Sequence, residues 1–147
     1  MSAAPLRVLR EASVATVRPA RLTDVPGLEA LLAPYVATGD LLPRSNYDLC
    51  RHIKDFVVAQ TPGGSIVGSG SLKVYSCELA EVAALAVHPD FQGSGLGRSL
   101  MEALIAEAKA AGLAEVLALT RKPGPARVAR CRTATGSGRG TRRGCRA

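Results

Sequence analysis

The chain has 147 residues, of which 47% are hydrophobic, so it is long enough for one domain with a buried core. It contains no run of about 20 apolar residues and no hydrophobic N-terminal stretch, which predicts a soluble, cytoplasmic protein without a membrane partner. The net charge of +7 belongs to the tail, because residues 121–147 carry nine Lys or Arg and no acid, whereas residues 1–120 hold ten basic and twelve acidic side chains.

Four cysteines are spread along the chain and form no C-x-x-C pair. The four cysteines therefore lack the close spacing typical of a structural zinc site, and their wide spread does not indicate a disulfide framework. We therefore expect free thiols in a reducing compartment, and no bound metal.

A strand and a helix are predicted after a flexible leader at residues 1–13. Residues 14–18 are short and rich in β-branched side chains, which favours a first strand. Thr23 or Asp24 is expected to cap the following helix, in which apolar residues recur every three to four positions. Gly39 marks the end of that helix.

The next segment predicts a second helix and a β-hairpin. Ser45 and Asp48 have the spacing of a capping box, so a helix is expected to begin at this point. Residues 56–60 and 66–75 are β-rich and flank a Pro-Gly-Gly turn, which indicates two antiparallel strands.

The following part of the chain predicts a βαβ unit. Residues 81–87 form an almost uninterrupted apolar run, as expected for a central strand covered on both faces. Residues 96–111 are rich in Ala, Leu and Glu and predict a helix that Gly112 closes. Residues 115–120 form the next strand, which should lie parallel to the first because a helix connects the two.

A glycine-rich loop, residues 92–98 with the sequence QGSGLGR, connects the buried strand to the helix. Its glycines permit positive φ, and it enters a helix N-terminus whose unpaired N–H groups favour an anion. The loop is therefore predicted to bind an anionic ligand. The loop is not a Walker loop, which requires Gly-Lys before a Ser or Thr, because here Gly97 is followed by Arg98 and Ser99. It is not a dinucleotide fingerprint either, because its glycines have the spacing G-x-G-x-G instead of G-x-G-x-x-G. A connector without a ligand is the remaining alternative.

The motif Gln92-x-x-Gly95-x-Gly97 resembles the Q/R-x-x-G-x-G/A signature of the GCN5-related N-acetyltransferases, the GNAT family, and the order of elements agrees over residues 14–120. The resemblance implies an α/β (α+β) fold of GNAT type, a mixed central sheet flanked by helices, with acetyl-CoA as co-substrate. It implies that the pantetheine arm runs along Leu85, Ala86 and Val87, where this strand and the next splay apart. It also implies a pyrophosphate site on the loop, made by Gln92, Gly93, Ser94, Gly95, Leu96, Gly97 and Arg98.

Residues 41–45, LLPRS, and 68–73, GSGSLK, resemble the bacterial N-acetylglutamate synthases within this family. This resemblance implies a small amino-acid acceptor, L-glutamate, and places Arg44 at the position that helps to bind the acceptor's carboxylate. A guanidinium suits that task because its fork holds a carboxylate bidentately. Lys73 is a second candidate for substrate binding. For both residues, a solvated surface charge is the alternative.

The same resemblance implies two catalytic residues. Amine acetylation requires a base that takes a proton from the ammonium group, and it requires a proton for the leaving thiolate. Glu81 matches the glutamate proposed as the base in the synthases, and Thr120 stands where they place a hydroxyl residue near the thiol. An exposed carboxylate at the start of a strand is the alternative for Glu81.

Residues 121–147 break with the pattern of the preceding chain. They are rich in Arg, Gly, Ala and Pro and have almost no large apolar residue, so burial cannot offset their ordering entropy. We expect either a basic, disordered tail in place of the last helix and strands of related proteins, or an out-of-frame reading of GC-rich coding sequence that begins near residue 124. A genuine tail of this kind would leave the C-terminal strands missing and the enzyme poorly stable or inactive.

Other functions remain open at the level of sequence. Nine positive charges in the tail favour nucleic-acid phosphates, but the tail lacks aromatic side chains for base stacking, which argues against this partner. The main alternatives are a module that binds acetyl-CoA without catalysis and a GNAT enzyme that acetylates another small amine or a protein N-terminus. The sequence is also compatible with a homodimer.

Overall fold

The computed structural model of the protein describes residues 14–120 and 127–132, and it describes the backbone alone at residues 119, 120 and 127–132. The leader at residues 1–13 and the other tail residues, 121–126 and 133–147, lie outside the described residues. The predictions made for those segments therefore stay predictions.

A six-stranded mixed sheet forms the centre of the protein, and its strands follow one another in chain order. Strands β4 and β5 run parallel, as the predicted βαβ unit requires, whereas the other neighbouring pairs are antiparallel. Strands β1 to β6 are Thr16–Pro19, Phe56–Gln60, Ile66–Val74, Leu79–Val87, Glu115–Thr120 and Arg127–Arg132.

Within the described chain, three α-helices cover the two faces of the sheet. Helices α1, α2 and α3 are Val25–Ala37, Asn46–Arg51 and Leu96–Ala110. Short 3₁₀ turns precede α1 and β2 and follow β4, at Leu22–Asp24, Ile53–Asp55 and Pro89–Phe91. Over the residues that the structure describes, no helix combines the length and the apolar character needed to cross a membrane.

The predicted helix boundaries are confirmed by local geometry. Ser45 caps α2, because its Oγ accepts a hydrogen bond from the amide of Asp48 at 3.1 Å and the Asp48 carboxylate accepts one from the amide of Ser45 at 3.3 Å. Asp24 directly precedes α1 as predicted, but its side chain makes no capping bond to that helix, because its carboxylate binds Arg18 and the amide of Arg21. Gly39 follows the end of the helix with a φ of +79°. Each of these signals depends on residues within one or two turns, so the sequence reveals it.

Two apolar cores lie on opposite faces of the sheet. Helix α3 covers one face and buries four residues of its apolar stripe, Leu96, Leu100, Leu104 and Ala108. Helices α1 and α2 cover the other face and bury Val25, Leu28, Leu31, Leu32 and Leu49. The spacing within α1 and α3 is the helical period. Sequence periodicity predicted the apolar face of α1, whereas α3 was predicted from its composition.

Strand β3 approaches α3 closely at two glycines. A Cβ atom at Gly68 would lie 2.8 Å from Cδ1 of Leu100, and one at Gly70 would lie 2.7 Å from Cδ1 of Leu104. The G-x-G pattern of this strand therefore has a packing role, because a side chain at either position would displace a core leucine.

A β-bulge in β4 changes the face on which its side chains lie. Ala80 and Val82 belong to the core beneath α3, whereas Ala84 and Ala86 belong to the core beneath α1 and α2. Residues two apart share a face in a regular strand, so β4 must contain an extra residue here: Ala84 and Leu85 lie between the partners of Ser71 and Ser69, where β3 has only Gly70. The pairing with β3 shifts at this place, and Ala84 has a φ of +50°, which is uncommon for a residue with a side chain.

Two buried serines of β3 stabilise the bulge. Ser69 Oγ donates to the carbonyl of Ala84 at 3.0 Å, and Ser71 Oγ donates to the carbonyl of Ala83 at 3.1 Å. Ser69 and Ser71 are 0% and 2% exposed, so water does not compete for these bonds. The carbonyls that the bulge displaces from the regular ladder thus keep hydrogen-bond partners.

Strands β4 and β5 separate beyond the bulge. They pair from Leu79 with Glu115 to Val82 with Ala118, and residues 83–87 of β4 have no paired residue on the described strand β5. The resulting gap leads to the glycine-rich loop, because β4 runs directly toward it. The splay implied by the family resemblance is therefore present.

The prediction of a tail without strands is wrong for residues 127–132. Arg127–Arg132 forms β6 and pairs with the whole of β5. The side chains of this segment show no apolar alternation, but strand pairing uses backbone N–H and C=O groups, which every residue except proline supplies. The edge of β5 has backbone N–H and C=O groups that can pair with a further strand. The pattern of side chains in the sequence does not show that this edge is available.

Candidate functional site

The glycine-rich loop presents uncapped backbone amides at the start of α3. Gly93 and Gly95 have φ angles of +77° and +85°, in the left-handed region. Gly95 immediately precedes α3 and has no side chain to cap the first-turn amides, so these donors are available to a ligand. A Cβ at either glycine would meet no atom within 4 Å, which leaves open space around the loop. This arrangement suits an anion such as a diphosphate.

Three other residues of the loop hold it in place. Leu96 is 4% exposed and anchors the start of α3 in the core. Gly97 passes close to β4, since a Cβ there would lie 3.7 Å from Cγ2 of Val87. The hydroxyl of Ser94 donates a hydrogen bond to the carbonyl of Phe91. The open amides therefore stand on a loop that is fixed to both β4 and α3.

Arg98 supplies the positive charge of the loop. Its side chain is 81% exposed, and its Nε lies 3.2 Å from a carboxylate oxygen of Glu102 one helical turn away. An exposed pair of this kind contributes little to stability. The guanidinium is thus free to exchange this partner for an anionic ligand.

Three consecutive residues of β4, Leu85, Ala86 and Val87, border the gap. Ala86 is buried, whereas Leu85 is 37% exposed. The amide of His88 donates to the carbonyl of Val67 on β3 at 2.8 Å. Because the C=O and N–H of one peptide unit point in opposite directions, the carbonyl of Val87 is directed away from β3 and toward the gap.

Two cavities meet at Arg44, on the face of the sheet that α1 and α2 cover. One cavity, of about 210 Å³, includes Arg44, Glu81 and Leu85 in its lining. The other, of about 280 Å³, includes Arg44, Lys73 and Phe56. The structure therefore brings together the three residues Arg44, Lys73 and Glu81, next to the gap at Leu85.

Neither cation of these cavities is in salt-bridge contact with a described carboxylate, although the pKa of Asp48, which hydrogen bonds from Ser45 lower most, is lowered further by the charge of Arg44. Among the described residues, Arg44 and Lys73 form no ion pair. The guanidinium of Arg44 lies instead over the ring of Phe56, 5.5 Å from its centroid. This contact orients Arg44 and leaves its donors available.

Two carboxylates also line the second cavity, and both have local partners. Hydrogen bonds from the hydroxyl and the amide of Ser45 lower the pKa of Asp48 and keep its carboxylate ionised. The carboxylate of Asp55 lies 3.3 Å from Nδ1 of His52. The carboxylate of Asp48 is therefore held by the cap of α2, and that of Asp55 by the turn that follows this helix.

Glu81 lies beside Lys73 and Tyr75. Lys73 on β3 is the residue paired with Glu81 on β4, and the hydroxyl of Tyr75 donates a hydrogen bond to the Glu81 carboxylate. The Nζ atom of Lys73 lies 5.3 Å from the centroid of the Tyr75 ring. Tyr75 was not among the predicted site residues, although its position two residues after Lys73 on a predicted strand is a usable signal.

Thr120 is the last residue of β5, and its side chain lies outside the described residues. It stands two positions beyond the last β4–β5 pair, Val82 with Ala118. Glu81 pairs with Leu117, so roughly 10 Å of strand separates the levels of Glu81 and Thr120. The catalytic role of Thr120 stays a prediction.

A second tyrosine missed by sequence reasoning, Tyr35 of α1, contacts the start of the loop. Its hydroxyl donates to the carbonyl of Val87. The side-chain amide of Gln92 donates to the Tyr35 hydroxyl at 2.8 Å and to the Val87 carbonyl at 3.3 Å. Sequence periodicity placed Tyr35 on the apolar face of a helix, and no local pattern indicates its contact with residues more than 50 positions away.

A third and larger cavity, of about 660 Å³, has none of the predicted site residues in its lining. It lies between the start of α1 and the β2–β3 turn, with Arg18, Asp24 and Gln60 in its lining. The guanidinium of Arg18 binds both carboxylate oxygens of Asp24, at 2.8 and 2.9 Å, and also Gln60. Its charge is thus already paired, so size alone does not make this groove the functional site.

Residues 29–131, which contain the loop, the gap and both cavities at Arg44, match the family described as Acetyltransferase (GNAT) family. The chain belongs to the GNAT acetyltransferases. The expected α/β fold with a mixed sheet flanked by helices is confirmed. In the described part of this GNAT domain, no three His, Cys, Asp or Glu side chains cluster so as to hold a metal ion.

Several known proteins are similar to this GNAT domain. An uncharacterized N-acetyltransferase of Chlorobaculum tepidum is 36% identical over 74% of this chain and 69% of its own length. The amino-acid acetyltransferase of Pasteurella multocida is 34% identical over 73% of this chain. The crystal structure of N-acetylglutamate synthase from Neisseria gonorrhoeae, complexed with coenzyme A and N-acetyl-glutamate, is 33% identical over 72% of this chain, with a TM-score of 0.69.

The similarity to the named enzymes is confined to a part of each. The GNAT domain spans 24% of the length of the Pasteurella enzyme and 25% of the gonococcal synthase chain. The shared part shows the family and the fold.

Proposed function

We propose that this GNAT domain transfers the acetyl group of acetyl-CoA to the α-amine of an amino acid, with L-glutamate as the preferred acceptor. The observation that carries the proposal is the position of Arg44, an unpaired cation that shares one cavity with Glu81 and the other with Lys73. The reaction is the one that opens arginine biosynthesis.

Acetyl-CoA as the donor is supported by the loop and the gap. The amides of residues 93–98 are suited to a diphosphate. The pantetheine arm carries amide groups, which can pair, as an added strand would, with backbone groups of residues 85–87 that face the gap, other than the Val87 carbonyl, which accepts from Tyr35 and Gln92. Binding in this way would bring the thioester to the β4 bulge, next to the cavity that Arg44 and Glu81 line. The gonococcal synthase, a relative of the same fold, is complexed with coenzyme A.

Glutamate as the acceptor is supported by the two free cations. Glutamate has two carboxylates, and the guanidinium of Arg44 can hold one of them bidentately. Lys73 can bind the second carboxylate as a point charge. With its two carboxylates bound there, the α-ammonium group would lie in the cavity that contains Glu81. Relatives named amino-acid acetyltransferase agree with this acceptor class.

The proposed chemistry requires one base and one source of a proton for sulfur. Glu81 takes a proton from the ammonium group, directly or through a water molecule, and the neutral nitrogen attacks the thioester carbon. The C–N bond forms, the C–S bond breaks, and the nitrogen releases its second proton. The thiolate takes up one proton, and the hydroxyl of Thr120 donates a hydrogen bond to the sulfur during this step. The products are the N-acetylamino acid, coenzyme A and one proton.

Thiol release from acetyl-CoA, measured with a panel of amines, tests the proposal. We expect glutamate to give the highest kcat/KM, and Arg44→Ala to raise the KM for glutamate at least about tenfold while the KM for acetyl-CoA is unchanged. Arg51→Ala is the matched control, because Arg51 is an exposed arginine of α2 that lines neither cavity. An unchanged KM for glutamate in Arg44→Ala would contradict the assignment.

The same panel separates the two alternatives. Residues 1–120 carry a net negative charge, which favours cationic acceptors such as polyamines, and thiol release with these but not with glutamate would indicate such an enzyme. Binding of coenzyme A without thiol release from any amine would indicate a module that binds acetyl-CoA without catalysis.

A further inference from the structure

The side chain of Tyr35 links α1 to the start of the glycine-rich loop. Its hydroxyl donates to the carbonyl of Val87, the last residue of β4, and accepts from Nε2 of Gln92 at 2.8 Å. Gln92 Nε2 also lies 3.3 Å from the same Val87 carbonyl. The three groups form a closed hydrogen-bonded triangle that joins a helix, a strand end and the first residue of the loop.

The backbone of Tyr35 is itself held in place. Its carbonyl accepts hydrogen bonds from the amides of Asp40 and Leu41, at 2.9 and 3.1 Å, and from the hydroxyl of Thr38 at 3.2 Å. These bonds close the turn that follows α1, and Arg44 comes shortly after it in the chain. The position of the Tyr35 hydroxyl is therefore determined by a well-anchored helix end.

The hydroxyl contributes more than the packing of the ring. Tyr35 is half-buried against the core beneath α1 and α2, and a phenylalanine would fill the same volume. What phenylalanine cannot supply is the donor to Val87 or the acceptor for Gln92. Without the hydroxyl, the Gln92 amide keeps only the longer contact with Val87.

We propose that Tyr35 is a positioning residue for coenzyme binding, which acts by fixing the Val87–Gln92 corner so that the loop amides are preorganised for the diphosphate. The inference rests on the proposed binding of acetyl-CoA and is independent of which amine accepts the acetyl group. A loop that is already ordered loses less entropy when the ligand binds, so the hydroxyl strengthens binding without touching the ligand.

The test compares Tyr35→Phe with the wild-type chain in calorimetric titrations with coenzyme A. We expect the Kd to rise about three- to tenfold, which is the range for the loss of one hydrogen bond. With acetyl-CoA, the KM should rise by a similar factor while kcat at saturation stays within about twofold. Tyr47→Phe is the matched control, because Tyr47 is 69% exposed on α2, and this change should leave the Kd unaltered.

A double-mutant cycle tests whether Tyr35 acts through Gln92. Gln92→Met keeps the length of the side chain and removes the amide, so the double variant should bind coenzyme A no more weakly than the weaker single variant. Effects that add in full would overturn the inference, as would a Kd of Tyr35→Phe equal to that of the wild type. A wild-type chain that does not bind coenzyme A would instead refute the proposed donor, so the two failures are distinguishable.

Discussion

Lys73 on β3 and Glu81 on β4 are directly paired, and the cavities that they line meet at Arg44. The bulge that follows Glu81 places Ala84 on this same face, although the two positions are three apart and would lie on opposite faces of a regular strand. The unpaired end of β4 begins at the same place. The bulge thus places the cavity that contains Glu81, the proposed base, beside the gap in which the thioester of acetyl-CoA is proposed to lie.

Replacing Glu81 by Gln should remove the proposed base while the shape of the side chain is kept. We expect kcat for glutamate acetylation to fall at least about 100-fold, as is usual for the loss of a general base, with the Kd for coenzyme A unchanged. Glu78→Gln, at an exposed glutamate in the β3–β4 turn, is the matched control and should retain full activity. Equal rates for Glu81→Gln and the wild type would show that another group, or water alone, takes the proton.

Replacing Gly95 by Ala should weaken coenzyme binding beyond its effect on stability. Gly95 has a φ of +85°, and an alanine there is strained by about 1 kcal/mol. Gly112→Ala is the matched control, because Gly112 has a φ of +82°, equally open space and a position after α3, far from the loop along the helix. Both variants should lose similar free energy of unfolding in urea, whereas calorimetry should show a raised Kd for coenzyme A in Gly95→Ala alone. A similar loss of affinity in both would argue against the loop as the binding site.

Replacing Ser69 by Ala should destabilise the bulge. Ser69 is fully buried and donates to the Ala84 carbonyl, so the variant leaves a buried acceptor without this partner. We expect the free energy of unfolding to fall by about 1–3 kcal/mol, measured by urea denaturation. We also expect slower thiol release, because the bulge places Glu81 beside the gap. A loss below about 0.5 kcal/mol would mean that the carbonyl finds another donor, such as water.

The ion pair between Arg18 and Asp24 should make stability depend on acidic pH. The hydrogen bonds from the Arg18 guanidinium outweigh the effect of burial and lower the pKa of Asp24 below its ordinary value of 3.8. Because the folded-state pKa is the lower one, the stability that this pair contributes is complete well above pH 3.8 and is lost as the pH falls through the folded-state pKa.

Asp24→Asn tests this linkage. At neutral pH the variant should lose about 2 kcal/mol of unfolding free energy, because it leaves Arg18 without its counter-charge. The difference from the wild type should shrink as the pH is lowered below about 4, since the wild-type carboxylate then becomes protonated too. A difference that does not vary with pH would show that Asp24 stabilises the fold by shape and not by charge.

Much of the site was predictable because its signals are local or carried by family resemblance. The loop at 92–98 was recognised from glycine spacing and from its place between a buried strand and a helix. The gathering of Arg44, Lys73 and Glu81 agrees with what the resemblance to the synthases implied. Their catalytic and binding roles stay predictions until the variants are measured.

The sequence by itself determined the helices, the Ser45 cap of α2, the hairpin and the βαβ unit, because apolar periodicity, turn chemistry and glycine φ preferences act within a few residues. Only the tertiary structure decided the triangle of Tyr35, Val87 and Gln92, and the pairing of β6 with β5. Each of these depends on backbone or hydroxyl groups that many residues possess. How distant segments of the chain pack against each other decides whether such groups come into contact. The one extra residue in β4 also contributes, because it changes the face on which every later side chain of the strand lies.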